Sequence, residues 1–301
     1  MTSRDMQIER RSDISPKEFI KSYLGKNRPV VITDAMRDWK IASVWSPEYF
    51  QKTLGSMKVT LQGDFFSPME KQTLSDYIAA LPEYESHVDE NGRVSRTLPY
   101  LRYSVKPEME QDFGAEALKV AQGMWSRPYF MPARGYLYPM AGLFHSDPTQ
   151  ERYPGFGVYI SPRGAITKLH QDGDLSNAIL CQVYGRKRCF LFPPECEPSL
   201  PKDREFLLRK VEDINIHRRP TYGSAEPLET ILEAGDILFI PRSWFHEVYT
   251  LGRSVSLTYN FVHMSEAFKT FGPHAPWPPS ILKLHLDHQL RRMRNRRKQA
   301  A

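Results

Sequence analysis

The chain has 301 residues, 41% of them hydrophobic and 25% charged, enough to bury one large core or two small ones. No run approaches the roughly 18 apolar residues of a membrane span, and residues 1–12 are charged where a secretory leader would be apolar, so a cytoplasmic location without a membrane partner is expected. The formal net charge is +6, but Arg291, Arg292, Arg294, Arg296, Arg297 and Lys298 supply all of it, and the neutral remainder offers no broad basic face for nucleic acid.

Ser15-Pro16-Lys17-Glu18 combines a capping serine, a proline at the first helical position and a glutamate three residues on, which predicts a helix to about residue 24. The β-branched run after Pro29, ended by Asp34, predicts a strand over 28–34. Amphipathic helices are expected at 47–54 and 74–81, strands at 58–61 and 100–105, and a polar loop at 83–96. Residues 124–153, with Trp125, Tyr129, Phe130, Tyr136, Tyr138 and Phe144, read first as core and second as the lining of a substrate cleft.

From Gly157 the pattern changes to short apolar strands spaced by Gly, Pro and Asp, at 158–161, 178–183, 188–192, 236–240, 247–250 and 254–261. That spacing predicts an antiparallel barrel or jelly roll rather than βαβ units. Cys181, Cys189 and Cys196 are odd in number and lack C-x-x-C spacing, so free thiols are expected. Residues 279–290 predict a last helix, either dimerising or packed on its own barrel, before a solvated basic tail.

Within the strand-rich half, Thr167-Lys168-Leu169-His170-Gln171-Asp172 puts an imidazole and a carboxylate two residues apart, on one side of an extended strand. A third ligand is offered by His246, at the end of the segment beginning Gly235-Asp236-Ile237. Two histidines and one carboxylate on one face of a metal leave three positions open, the arrangement of non-haem Fe(II) oxygenases. Either motif alone reads as structural; their order and separation within one barrel carry the metal reading. Trp244 and Phe245 read as packing at the barrel mouth that keeps water from the metal.

These segments, with Gly185-Arg186-Lys187-Arg188-Cys189-Phe190 and Leu257-Thr258-Tyr259-Asn260-Phe261, resemble the JmjC or cupin-8 group of 2-oxoglutarate oxygenases over residues 26–262. The group includes the asparaginyl hydroxylase of hypoxia-inducible factor and the tRNA wybutosine hydroxylase. The resemblance implies a mainly β fold: a double-stranded β-helix core over 131–265, an N-terminal α/β elaboration over 1–130, and a C-terminal helix and tail over 266–301, in one domain.

It further implies Fe(II) held by His170, Asp172 and His246, with 2-oxoglutarate and O2 as co-substrates. Lys187 corresponds to the lysine that pairs with the remote carboxylate of 2-oxoglutarate, Thr167 and Tyr100 to hydroxyl donors at the same carboxylate, with Tyr103 a rival to Tyr100. Asn177 and Asn260 resemble asparagines flanking co-substrate and metal; for each, a plain structural hydrogen bond is the alternative. The expected reaction is hydroxylation of a protein or peptide side chain with release of succinate and CO2. A small-molecule substrate, a tRNA base, and a non-catalytic cupin-like binding protein are the alternatives.

Overall fold

The computed structural model describes residues 7–64, 66–104, 113–138, 156–172, 176–200, 214–220, 222 and 224–266. The expected helix at 279–290, any dimer formed through it, the basic tail and Phe144 lie outside the described residues.

Strand β1 (Arg10–Arg11) precedes helix α1 (Pro16–Phe19), which widens into a π turn over Ile20–Leu24. The Ser15 hydroxyl accepts from the Glu18 N–H at 3.1 Å, as the cap predicts, while the Glu18 carboxylate accepts from Arg11 at 2.8 Å. Strand β2 (Val30–Ile32) follows, then helices α2 (Ile41–Val44) and α3 (Pro47–Leu54), the latter capped by Ser46.

Strands β3 (Lys58–Gln62) and β4 (Pro68–Thr73) form a separate hairpin. The helix expected at 74–81 is two, α4 (Leu74–Ala79) and α5 (Leu81–Glu85), so α5 takes the start of the expected loop. Pro82 explains the break, because it has no N–H to continue the ladder. Strand β5 (Leu101–Ser104), helix α6 (Phe113–Ala121) and strand β6 (Tyr136–Tyr138) complete the elaboration.

Eight strands then build the core: β7 (Phe156–Ser161), β8 (Ile166–Gln171), β9 (Asn177–Tyr184), β10 (Lys187–Phe192), β11 (Leu228–Leu232), β12 (Ile237–Ile240), β13 (Phe245–Thr250) and β14 (Ser254–His263). One sheet runs β1-β2-β12-β9-β14-β7-β5, with β6 beside β14, and the other runs β11-β10-β13-β8. The core strands pair antiparallel and pass between the two sheets at every step but β10 to β11, which is the expected jelly roll.

Side chains alternate across each strand. Ala178 and Leu180 of β9 face inward, where they join Leu191, Leu238, Ile240 and Val248 in a small interior cluster. Ile179, Cys181 and Val183 face outward into the larger core beneath the helices, with Phe19, Phe130 and Phe261. The interior beside β5, β7 and β14 is polar instead, with Arg102, Thr167, Gln182, Lys187, Thr250 and Ser256 all buried. The barrel therefore has an apolar half that supplies cohesion and a polar half with room for chemistry. All three cysteines are free, and among the described residues no helix is long and apolar enough to cross a membrane.

Candidate active site

His170 near the end of β8 and His246 near the start of β13 are register partners, so antiparallel pairing places their imidazoles side by side on one face. Their ring centroids lie 4.1 Å apart. Asp172, one residue beyond β8, turns its Oδ1 to both rings, 3.7 Å from His170 Nε2 and 3.9 Å from His246 Nε2. His170, Asp172 and His246 each offer a ligand atom, all within 4.8 Å of one another.

The orientation of each group has a local cause. His170 Nδ1 donates to the Lys168 carbonyl at 2.9 Å, and His246 Nδ1 donates to the Trp244 carbonyl at 3.2 Å. With Nδ1 engaged, the lone pair of each ring sits on Nε2, toward the shared point. Asn260 of β14 donates to Asp172 Oδ2 at 3.1 Å, which leaves Oδ1 to the histidines. Burial first, and then the adjacent His246 ring, push His170 down to about 3, so its Nε2 is unprotonated at neutral pH.

A metal ion fits these donors. Two atoms bound to one ion at about 2.1 Å can be no more than about 4.2 Å apart; both carboxylate distances fall inside that limit, and the set as a whole, within 4.8 Å, needs at most a small inward shift of the rings. Two neutral imidazoles and one carboxylate suit a divalent transition metal that keeps open positions for other ligands.

Farther along the same inner face lie Lys187, opposite Thr250, and Thr167, opposite Val248. Lys187 is four residues from Leu191, the register partner of His246, roughly 13 Å along the strand. Its side chain is 2% exposed, and its Nζ donates to the Tyr100 hydroxyl at 2.6 Å. Among the described residues no carboxylate pairs with it. Burial pushes the Tyr100 phenol up, but the charges of Lys187 and Arg102 outweigh burial and bring it below the ordinary tyrosine value.

Tyr100 is thus the tyrosine brought to Lys187. Asn260 lies beside Asp172, whereas Asn177 faces away from the interior. It shares the outward face of β9 with Ile179, and its amide donates to Phe261 O and Glu266 while accepting from the Arg242 N–H. Those bonds brace the turn that carries His246, the plain structural role that was the alternative for Asn177. Trp244 packs in the interior cluster and donates to Asn27 O at 3.0 Å, whereas Phe245 packs on the outer core.

Two residues at the site were not anticipated. Phe66, between β3 and β4, has φ +58 and is 39% exposed, with its ring 5.4 Å from the His170 ring. The segment bearing it is held to β8, because Asp64 O accepts from the Lys168 N–H at 2.9 Å and the Asp64 carboxylate pairs with Lys168 Nζ at 2.8 Å. Arg102 of β5 is buried between the Phe66 and Tyr100 rings.

A family model described as a cupin-like domain matches residues 16–267. The chain is 24% identical over 283 residues to the chicken (Gallus gallus) protein named 2-oxoglutarate and iron-dependent oxygenase JMJD4, covering 85% of this chain and 60% of that one. It is 26% identical over 277 residues to arginine-specific demethylase JMJ20 of Arabidopsis thaliana, covering 85% and 57%. It is also 23% identical over 271 residues to the human bifunctional peptidase and (3S)-lysyl hydroxylase JMJD7, covering 78% and 77%. The chain thus spans about three-fifths of the length of the first two relatives. A model match over most of the chain, on a jelly roll with this constellation inside it, makes the protein a member of the cupin-like domain family.

Proposed function

We propose that the protein is an Fe(II)- and 2-oxoglutarate-dependent oxygenase that hydroxylates a C–H bond on a side chain of a protein or peptide. One observation carries the reading: a His170, Asp172 and His246 donor set shares an inner sheet face with Lys187, a buried cation that no carboxylate of the described residues neutralises. A buried charge without a counter-charge is costly, and a dicarboxylate ligand would supply the missing anion.

In this reading His170, Asp172 and His246 are the residues that would hold ferrous iron. Lys187, Tyr100 and Thr167 receive the remote carboxylate of 2-oxoglutarate, which directs its oxo-acid end to the metal. Asn260 keeps Asp172 turned inward, and the Nδ1 bonds keep both imidazoles in the ligating tautomer. When bound, iron and 2-oxoglutarate together supply oxygen activation, so that substrate C–H, 2-oxoglutarate and O2 become C–OH, succinate and CO2. The apolar half of the barrel keeps water from the site. A protein substrate is supported by relatives named as a lysyl hydroxylase and an arginine demethylase.

The test is succinate release with Fe(II), 2-oxoglutarate and O2, together with mass spectrometric comparison of cell peptides before and after treatment. The wild type should form succinate and add 16 mass units, about one oxygen, to a peptide class. Asp172→Ala should do neither; full turnover in that variant refutes the assignment.

A further inference from the structure

Arg102 lies on β5 opposite Tyr159 of β7 and is 6% exposed. One terminal nitrogen donates to Gly63 O, and the other donates to Ile166 O at 2.8 Å and to the Thr167 hydroxyl oxygen at 3.1 Å. Its Nε–H is buried without a hydrogen-bond partner. The guanidinium carbon is 3.8 Å from the Tyr100 ring centroid, and Lys187 Nζ is 5.2 Å from the same centroid. Two buried cations and one orphaned donor therefore surround a single phenol; among the described residues no carboxylate lies within ion-pair distance of either cation, and Asp64 acts on Arg102 only from farther off.

Bracing three oxygens accounts for the terminal nitrogens of Arg102. It does not account for the unsatisfied Nε–H or for a second buried positive charge beside Lys187, both of which cost stability in the empty protein. An anionic ligand that arrives between them removes both costs.

We infer that Arg102 is the second cation of the co-substrate seat, neutralising the remote carboxylate jointly with Lys187. Its Nε–H is the donor left for that anion. Its terminal nitrogen occupies the acceptor side of the Thr167 hydroxyl, so that the Thr167 hydrogen is free to point at the same carboxylate. The inference rests on the oxygenase reading and deepens it, since a seat with two cations selects a fully ionised dicarboxylate over its half-amide.

The probe is glutarate, which has the remote carboxylate but no oxo group to chelate a metal, titrated into the metal-free full chain and followed by ligand-observed NMR. Arg102→Gln should weaken glutarate by about 10- to 100-fold, and Arg102→Lys, which keeps the charge but not the Nε–H, should recover only part of that loss. Should Arg102→Gln bind glutarate as the wild type does while Lys187→Ala loses it, the inference is overturned and the oxygenase reading stands. Undiminished binding in Lys187→Ala as well removes the seat and that reading with it. If Arg102→Gln does not fold, the wild type decides by the 1H–15N signals of its arginine Nε–H groups: one that shifts and gains exchange protection as glutarate binds supports the second cation, and none that responds overturns it.

Discussion

Replacing Lys187 with methionine should move stability in opposite directions without and with co-substrate. Lys187 is 2% exposed, with the Tyr100 hydroxyl as its hydrogen-bond partner at 2.6 Å. Exchanging an uncompensated buried charge for an apolar chain of similar volume stabilises by about 1–4 kcal/mol, and losing the Tyr100 bond returns about 1 kcal/mol. A net gain of up to about 3 kcal/mol should raise Tm by up to about 5 °C in a chain of this size. With manganese(II) present in both proteins, adding 2-oxoglutarate at about 100 times the wild-type Kd should stabilise the wild type by about 2.7 kcal/mol and the variant hardly at all, which offsets or inverts the order of melting. Circular dichroism melts of both proteins, each with and without ligand, measure all four values. A variant that melts below wild type without ligand, or gains as much from 2-oxoglutarate, refutes the argument that Lys187 is an anion seat kept at a cost.

Asn260→Leu removes the donor that fixes Asp172 Oδ2 and should weaken manganese(II) affinity by about 10- to 100-fold in a calorimetric titration, with the fold intact. Gly185 holds φ +75 in the turn before Lys187, and an added Cβ would lie 1.8 Å from Arg253 O. Gly185→Ala should therefore cost at least about 3 kcal/mol in urea unfolding, whereas Gly235→Ala, with φ +104 and open space around it, bears strain alone and should cost less. In the metal-free protein the depressed His170 stays neutral down to about 3, while the unfolded chain takes up the proton below about 6.5. Stability should then fall as pH drops from 6.5, by up to about 1.4 kcal/mol per unit, and urea melts of His170→Asn between pH 7 and 5 should show a shallower slope.

The barrel and its metal pair were legible because they are local. H-x-D on a strand is a period-2 pattern, and the strands of the core are apolar runs bounded by turn residues. What sequence could not supply was the division of the interior, because inward and outward positions on β9 are both apolar and only pairing tells Ala178 from Ile179. Resemblance alone left Asn177 open between the co-substrate and a structural hydrogen bond, since one residue of register separates an inward asparagine from an outward one. Strand β4 escaped notice since Pro68-Met69-Glu70-Lys71 is an exposed edge without alternation. Arg102 carried no signal in the sequence, because the oxygens that hold it come from Gly63, Ile166 and Thr167, far off in the chain.

Anaerobic titration of the purified protein with Fe(II) and then 2-oxoglutarate probes the metal assignment without needing the substrate. When a 2-oxo acid chelates ferrous ion a visible charge-transfer absorption develops, which should saturate at one equivalent of each ligand in the wild type and vanish in His246→Ala. A folded wild type that develops no such absorption, or a His246→Ala variant that develops it in full, contradicts the account.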